Sequence, residues 1–140
     1  MTEAEWLNCT DPVLMLHFLG SRTPERTLRL FCIVCCRSVW GVMPAQGRHA
    51  VDVAEQYAND QATETALDTA NGEVGDFCEH ADTVAAAVAF AANAAFHASF
   101  SRCVIEDAED CCRNAESAGL SPARQCVLLR GLVGNSFREP

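Results

Sequence analysis

The sequence contains no lysine, so all ten of its basic residues are arginine, against 19 acidic residues. A net charge of −9 argues against the electrostatic surface that nucleic-acid binding requires, and no polybasic segment is present that would attract anionic lipid. We therefore expect neither nucleic acid nor a membrane as a partner of this protein.

A secretory signal is also absent, because residues 1–7 contain two glutamates and neither a basic residue nor an apolar run. We therefore expect a cytoplasmic protein, in which the nine cysteines stay reduced. An odd number of cysteines also argues against a disulfide framework. Residues 83–100 carry no formal charge, but their alanine content indicates a packed helix of small residues rather than a transmembrane helix.

Signals for β-strands are nearly absent, whereas signals for helix starts recur. Thr2 and Glu5 have the spacing of a capping box, in which each side chain accepts from the other residue's backbone N–H. Three further starts combine a capping residue with a following proline. These are Asp11 with Pro12, Thr23 with Pro24, and Ser121 with Pro122.

These signals and the apolar spacing predict an all-α fold, a compact single-domain bundle of about six or seven helices over residues 1–140. After the start at Thr2, helices are predicted over residues 12–19, 24–40, 50–59, 64–70, 82–101, 102–118 and 122–133, with a loop over residues 73–80. The helices over residues 24–40 and 82–101 are expected near the centre.

Two predicted helices show clear faces at the 100° spacing of helical residues. The inner face of residues 24–40 is predicted to carry Leu28, Phe31, Cys32, Cys35 and Val39, and the outer face Arg26, Arg29 and Arg37. The inner face of residues 102–118 is predicted to carry Val104, Ala108, Cys111 and Ala115.

The negative charge is concentrated in residues 49–82, which contain nine acidic residues and no arginine. The simplest interpretation is a solvated face that keeps the protein soluble. Two functional interpretations remain open. The segment is either a patch for a basic partner protein or an intramolecular partner of the arginine-bearing helix over residues 24–40.

A CxxC spacing occurs in the run Cys32-Ile33-Val34-Cys35-Cys36. This spacing is typical of zinc half-sites and of thioredoxin-like redox sites, but a redox cysteine is expected at a helix start after a strand and not within a helix. The other zinc ligands would come from Cys111 and Cys112, assisted by Cys103 or His80. Neighbouring cysteines on a helix point about 100° apart, so Cys111 and Cys112 are poorly placed to share one ion.

The candidate metal ligands are therefore Cys32, Cys35, Cys36, Cys111 and Cys112, with zinc as the ion. The alternative is that the same thiols are structural, since a buried cysteine behaves as a small apolar residue.

No catalytic constellation is visible: HExxH, GxSxG and a phosphate-binding glycine loop are all missing. No catalytic or cofactor-binding residue is therefore assigned, and an enzyme would need a site that forms only in three dimensions. The leading hypothesis is a non-catalytic protein-interaction or adaptor module whose partner is another protein. The alternative is a Cys-based zinc-binding or thiol-redox protein.

Four segments carry a resemblance to a known family: MTEAEWLNCTDP, LRLFCIVCCRSVW, AVDVAEQYAND and LLRGLVGNSFREP. Together they resemble a large paralogous set of uncharacterised bacterial proteins that share this opening, a Cys-Cys-Arg before an aromatic residue, and a Leu-Leu-Arg ending. The resemblance implies no activity. Cys35, Cys36, Arg37 and Trp40 match the shared pattern, whereas Cys32 is particular to this sequence and Ser136 replaces an expected proline. Longer members continue past the last motif, which implies a module that precedes further sequence.

Overall fold

The structure, a computed structural model, describes residues 1–134, and within them it contains eight α-helices, three short 3-10 turns and no strand. The helices are α1 (Glu3–Asn8), α2 (Pro12–Leu19), α3 (Glu25–Arg37), α4 (Ala45–Ala58), α5 (Glu64–Glu79), α6 (Ala86–Ala98), α7 (Ile105–Ser117) and α8 (Pro122–Val133). The all-α class is confirmed, and the predicted number of six or seven helices is slightly low. Residues 135–140, which complete the ending motif of the family resemblance, lie outside the described residues.

The helix starts follow the local capping chemistry. The Thr2 hydroxyl accepts from the Glu5 N–H at 3.1 Å while the Glu5 carboxylate accepts from the Thr2 N–H at 3.0 Å, which completes the predicted capping box. Ser121 caps α8 as predicted. The start predicted at Thr23 is one residue early, because Pro24 is the N-cap residue and α3 begins at Glu25.

The prediction that the fifth helix ends near residue 70 and is followed by a loop over residues 73–80 is wrong. Helix α5 continues through Gly72 and Gly75 to Glu79. Its buried face includes Val74, and the missing side chain at Gly75 makes room for the Phe96 ring of α6. Packing against α6 therefore outweighs the low intrinsic helix propensity of glycine.

Three other predicted helices have different ends. Helix α4 begins at Ala45, after Pro44, instead of at residue 50. Helix α6 is shorter than the predicted range 82–101, and α7 begins at Ile105, so residues 99–104 form a connection between two helices. That connection contains Cys103.

The core is one continuous cluster of buried apolar side chains. Helix α3 packs against α4, α6, α7 and α8, and α6 packs against α3, α4, α5 and α7, so both occupy the centre as expected. All five residues of the inner face predicted for residues 24–40 are buried, which confirms that face, although Val39 lies beyond the end of α3.

Two predicted faces need correction. Arg29, predicted on the outer face of α3, is only 1% exposed because its guanidinium finds acceptors at the end of α6. Val104, predicted on the inner face of α7, precedes the helix and is exposed.

Among residues 1–134, no helix combines the length and the apolar character needed to cross a bilayer.

Candidate functional site

Six buried cysteines meet where α3 packs against α7, and we refer to them as the thiol cluster. Its members are Cys32, Cys35, Cys36, Cys103, Cys111 and Cys112. Each is at most 2% exposed. The structure therefore brings together all five cysteines named as candidate ligands and adds Cys103.

Helical spacing places the first three thiols on one side of α3, because positions i, i+3 and i+4 share a face. Across the interface, the Cys111 thiol donates to the Cys32 carbonyl oxygen at 3.6 Å. The Sγ atoms of Cys32 and Cys103 lie 4.0 Å apart. This pair joins α3 to the connection that precedes α7.

The connection is held in place by Glu25 and Arg29, one turn apart on α3. The Glu25 carboxylate accepts from the Cys103 N–H at 2.8 Å and from the Arg29 guanidinium at 3.2 Å. The same guanidinium donates to the carbonyl oxygens of Ala98, Phe100 and Ser101. These bonds fix the backbone on which Cys103 stands.

The environment of the cluster favours neutral thiols. A hydrogen bond with Cys112 and burial raise the pKa of the Cys35 thiol well above its ordinary value. The hydrogen bond between Cys103 and Cys32 favours the Cys32 thiolate, but a hydrogen bond with Cys111 and burial together hold the pKa of Cys32 well above normal. A redox cysteine needs a lowered thiol pKa and access to solvent, so thiol-redox catalysis has no support here.

The cluster does not present a ready zinc site. Within the described chain, only Asp76, Glu79 and His80 place three ligand atoms within 4.8 Å of one another, and all three residues are exposed. His80 lies at the end of α5 and does not join the thiols, unlike Cys103. A closed tetrahedral site, which needs four convergent ligands, is therefore not formed by the thiol positions in the structure.

Part of the acidic segment binds the arginine-bearing helix, as one of the open interpretations anticipated. The Arg37 guanidinium pairs with the Glu55 carboxylate at 2.7 Å and with the Asp52 carboxylate at 3.0 Å. Burial lowers the pKa of Arg37, but the hydrogen bonds and charges of Glu55 and Asp52 together outweigh that effect. The pKa of Arg37 is therefore raised. Two of the nine acidic residues thus help to hold α4 against α3.

The remaining negative charge lies largely on α5. Glu64, Asp68, Asp76 and Glu79 fall within about 120° of the helix circumference, opposite its buried residues, and we name these four the acidic face. Asp76 lies 3.7 Å from the His80 ring nitrogen. The other three carboxylates have no ion-pair partner in the described part of the chain.

A surface cleft lies where the ends of two helices meet. The cleft of about 620 Å³ between the end of α2 and the end of α8 is lined mainly by Phe18, Leu19, Leu132 and Val133, with Arg22 as its ionisable residue. Its described lining contains two threonine hydroxyls, those of Thr23 and Thr27, but no carboxylate, imidazole, amine or thiol that could act as the base that activates them.

Comparison with known proteins found no matching family model, no similar curated protein and no similar solved structure.

Sequence reasoning missed the roles of Glu25 and Arg29, and it named Cys103 only as an assisting zinc ligand. The spacing of Glu25 and Arg29 is a visible i,i+4 signal for an ion pair. Their long-range partners are 69 to 78 residues away in the chain, and no local pattern indicates them.

Proposed function

We propose that this protein is a non-catalytic interaction module and that the acidic face of α5 contacts a basic surface of a partner protein. The observation that carries the proposal is the difference between the two halves of the acidic segment. Asp52 and Glu55 are paired with Arg37, whereas Glu64, Asp68 and Glu79 are exposed and have no ion-pair partner among the described residues.

Electrostatics supports this use of the surface. Like charges on one helix face repel one another, and a basic partner would relieve that repulsion. Charge complementarity of this kind mainly increases association rates and selectivity, and salt screens it over about 8 Å at physiological ionic strength. The proposed interaction should therefore weaken as salt is added.

The test is a pull-down from the native lysate at low salt with three forms of the full chain. The first is the wild type. The second carries Asp68→Asn and Glu79→Gln on the acidic face. The third is a matched control with Glu106→Gln and Glu116→Gln, which removes the same charge from exposed positions of α7.

We expect the wild type and the α7 control to retain the same protein, and the α5 variant to lose most of it. High salt should release that protein from both retaining forms. Retention of no protein, or equal retention by all three forms, would contradict the proposal.

The second candidate function is a Cys-based metal-binding protein, and the observation that favours it is the convergence of six buried thiols between α3 and α7. Soft thiolate ligands select zinc, monovalent copper and iron–sulfur clusters. Elemental analysis of protein purified without chelator tests this candidate. A metal content below about 0.1 per chain would contradict tight zinc binding, because structural zinc is held strongly.

A further inference from the structure

A cleft of about 390 Å³ leads from solvent to the edge of the thiol cluster. Cys103 lies in its wall, together with Leu28 and Ile105. Two carboxylates, Glu25 and Glu106, and one arginine, Arg102, complete the charged part of the lining. Glu25 is already paired with Arg29, so the cleft is close to neutral and brings solvent to the Cys103 side of the thiol cluster.

Behind Cys103, the Cys32 Sγ lies 4.0 Å from the Cys103 Sγ. We propose that these two sulfur atoms bind one monovalent copper ion. This proposal rests on the metal-binding candidate function and names its ion and its ligands.

The distance between the sulfur atoms suits an ion with two ligands. A bond between a filled-shell first-row ion and thiolate sulfur is about 2.3 Å, so opposite ligands lie about 4.6 Å apart and neighbouring tetrahedral ligands about 3.8 Å apart. The 4.0 Å separation of Cys32 and Cys103 lies between these limits. The linear arrangement requires the two sulfur atoms to move about 0.6 Å further apart.

Ligand number separates copper from zinc. Structural zinc takes four ligands, but in the described chain no three sulfur atoms of the cluster lie within 4.8 Å of one another. Monovalent copper is soft, favours thiolates and is satisfied by two of them. The pair of Cys32 and Cys103 therefore fits copper better than zinc.

The charge balance also suits a monovalent ion. Binding replaces both thiol protons: one Cu⁺ and two thiols give a bis-thiolate complex of charge −1 and release two protons to solvent. The Arg29 guanidinium, 1% exposed and held beside Cys103 through Glu25, supplies a nearby positive charge.

The experiment is an anaerobic titration of the reduced full chain with Cu⁺ delivered by a coloured chelator, bicinchoninate. We expect the wild type to remove one copper ion per chain from the chelator. Cys103→Ser should weaken binding by about 100-fold or more, since even changes next to a ligand typically cost 10- to 100-fold.

The matched control is Cys126→Ser, which alters a buried thiol of α8 outside the cluster. It should bind copper as the wild type does. Far-UV circular dichroism checks that both variants are folded, and X-ray absorption of the copper-loaded wild type should show two sulfur neighbours. That last measurement needs no variant, so it tests the site even if Cys103→Ser does not fold.

Failure to remove copper from the chelator would overturn the copper proposal, as would equal losses in Cys103→Ser and Cys126→Ser or a copper ion with no sulfur neighbours. A parallel titration with Zn²⁺ distinguishes failure of the copper proposal from failure of the metal-binding candidate. If zinc binds and copper does not, the copper proposal fails and the metal-binding candidate stands. If neither ion binds, both fail.

Discussion

The guanidinium of Arg29 donates a hydrogen bond of 3.0 Å to the carbonyl oxygen of Ala98, the last residue of α6. The last carbonyls of a helix have no partner within the helix, and the negative end of its dipole attracts a cation. The guanidinium also donates to the carbonyl oxygens of Phe100 and Ser101. A buried arginine of α3 therefore caps the end of α6 and fixes the backbone that follows it.

Replacing this arginine should be costly. Arg29→Met fills similar volume but leaves buried carbonyl groups without a donor, and we expect the free energy of unfolding to fall by about 3–5 kcal/mol. Urea denaturation measures this loss. Arg113→Met is the control, because the Arg113 side chain is 59% exposed and its loss should cost no more than about 0.5 kcal/mol. Similar losses of unfolding free energy in both variants would show that the hydrogen bonds of Arg29 do not stabilise the fold.

Two glycines of α5 provide a second test, since their surroundings differ. A Cβ atom added at Gly72 meets nothing within 4 Å, so Gly72→Ala should raise the free energy of unfolding by about 0.5–1 kcal/mol through helix propensity. A Cβ atom added at Gly75 lies 2.9 Å from the Phe96 ring.

Gly75→Ala gains the same propensity but must displace the ring, and such overpacking costs about 1–3 kcal/mol. Thermal unfolding should therefore rank the Gly72 variant above the wild type and the Gly75 variant below the Gly72 variant. If Gly75→Ala is as stable as Gly72→Ala, the close contact between α5 and α6 is wrong.

Reaction with the disulfide reagent DTNB should divide the nine thiols into two groups. Cys9 and Cys78 are half-buried and the other seven are buried, so two thiols should react in the native protein and seven only as it unfolds. Burial raises the pKa of Cys78, so its reaction should be slower than that of a free thiol. Absorbance under native and denaturing conditions counts both groups. More than three fast thiols would contradict the burial of the thiol cluster, since only Cys9, Cys78 and Cys126 lie outside it.

His80, which follows the last residue of α5, is expected to make the stability of the protein depend on pH. The His80 imidazole donates to the Asp76 carbonyl oxygen at 2.9 Å, and this bond together with the Asp76 charge raises the pKa of His80 above 6.5. Because the folded protein favours the protonated ring, the small stabilisation is complete below about pH 6.5 and is lost as the pH rises through the raised pKa.

Titration of the imidazole signals by NMR measures this pKa. Asp76→Asn should lower it by removing the charge while the carbonyl bond remains, and Glu79→Gln should lower it less. An unchanged pKa in Asp76→Asn would show that the Asp76 carboxylate does not act on the ring.

Local chemistry explains which parts of the fold the sequence predicts. The starts at Thr2, Asp11 and Ser121 depend on a side chain and a backbone N–H two or three residues away, and all three are confirmed. The continuation of α5 beyond Gly72 depends on the approach of α6 at Gly75, which no local pattern contains.

In the thiol cluster too, local spacing predicts some features, whereas others depend on the packing of distant helices. Helical spacing correctly places Cys32 and Cys35 on the buried side of α3. That Cys103 meets Cys32 depends on how α3 and α7 pack, and the burial of Arg29 depends on acceptors supplied by a distant helix end. Helical spacing placed Arg29 on the outer face with Arg26 and Arg37, where a charge stays solvated, because an isolated charge is expensive to bury.

The attachment of Arg29 to the end of α6 also bears on the order of folding. Glu25 and Arg29 are one helical turn apart and can pair as soon as α3 forms, whereas Ala98 is 69 residues away from Arg29 in the chain. Closing so long a loop costs entropy before any contact repays it. We therefore expect residues 98–103 to dock late in folding, after α3 has formed.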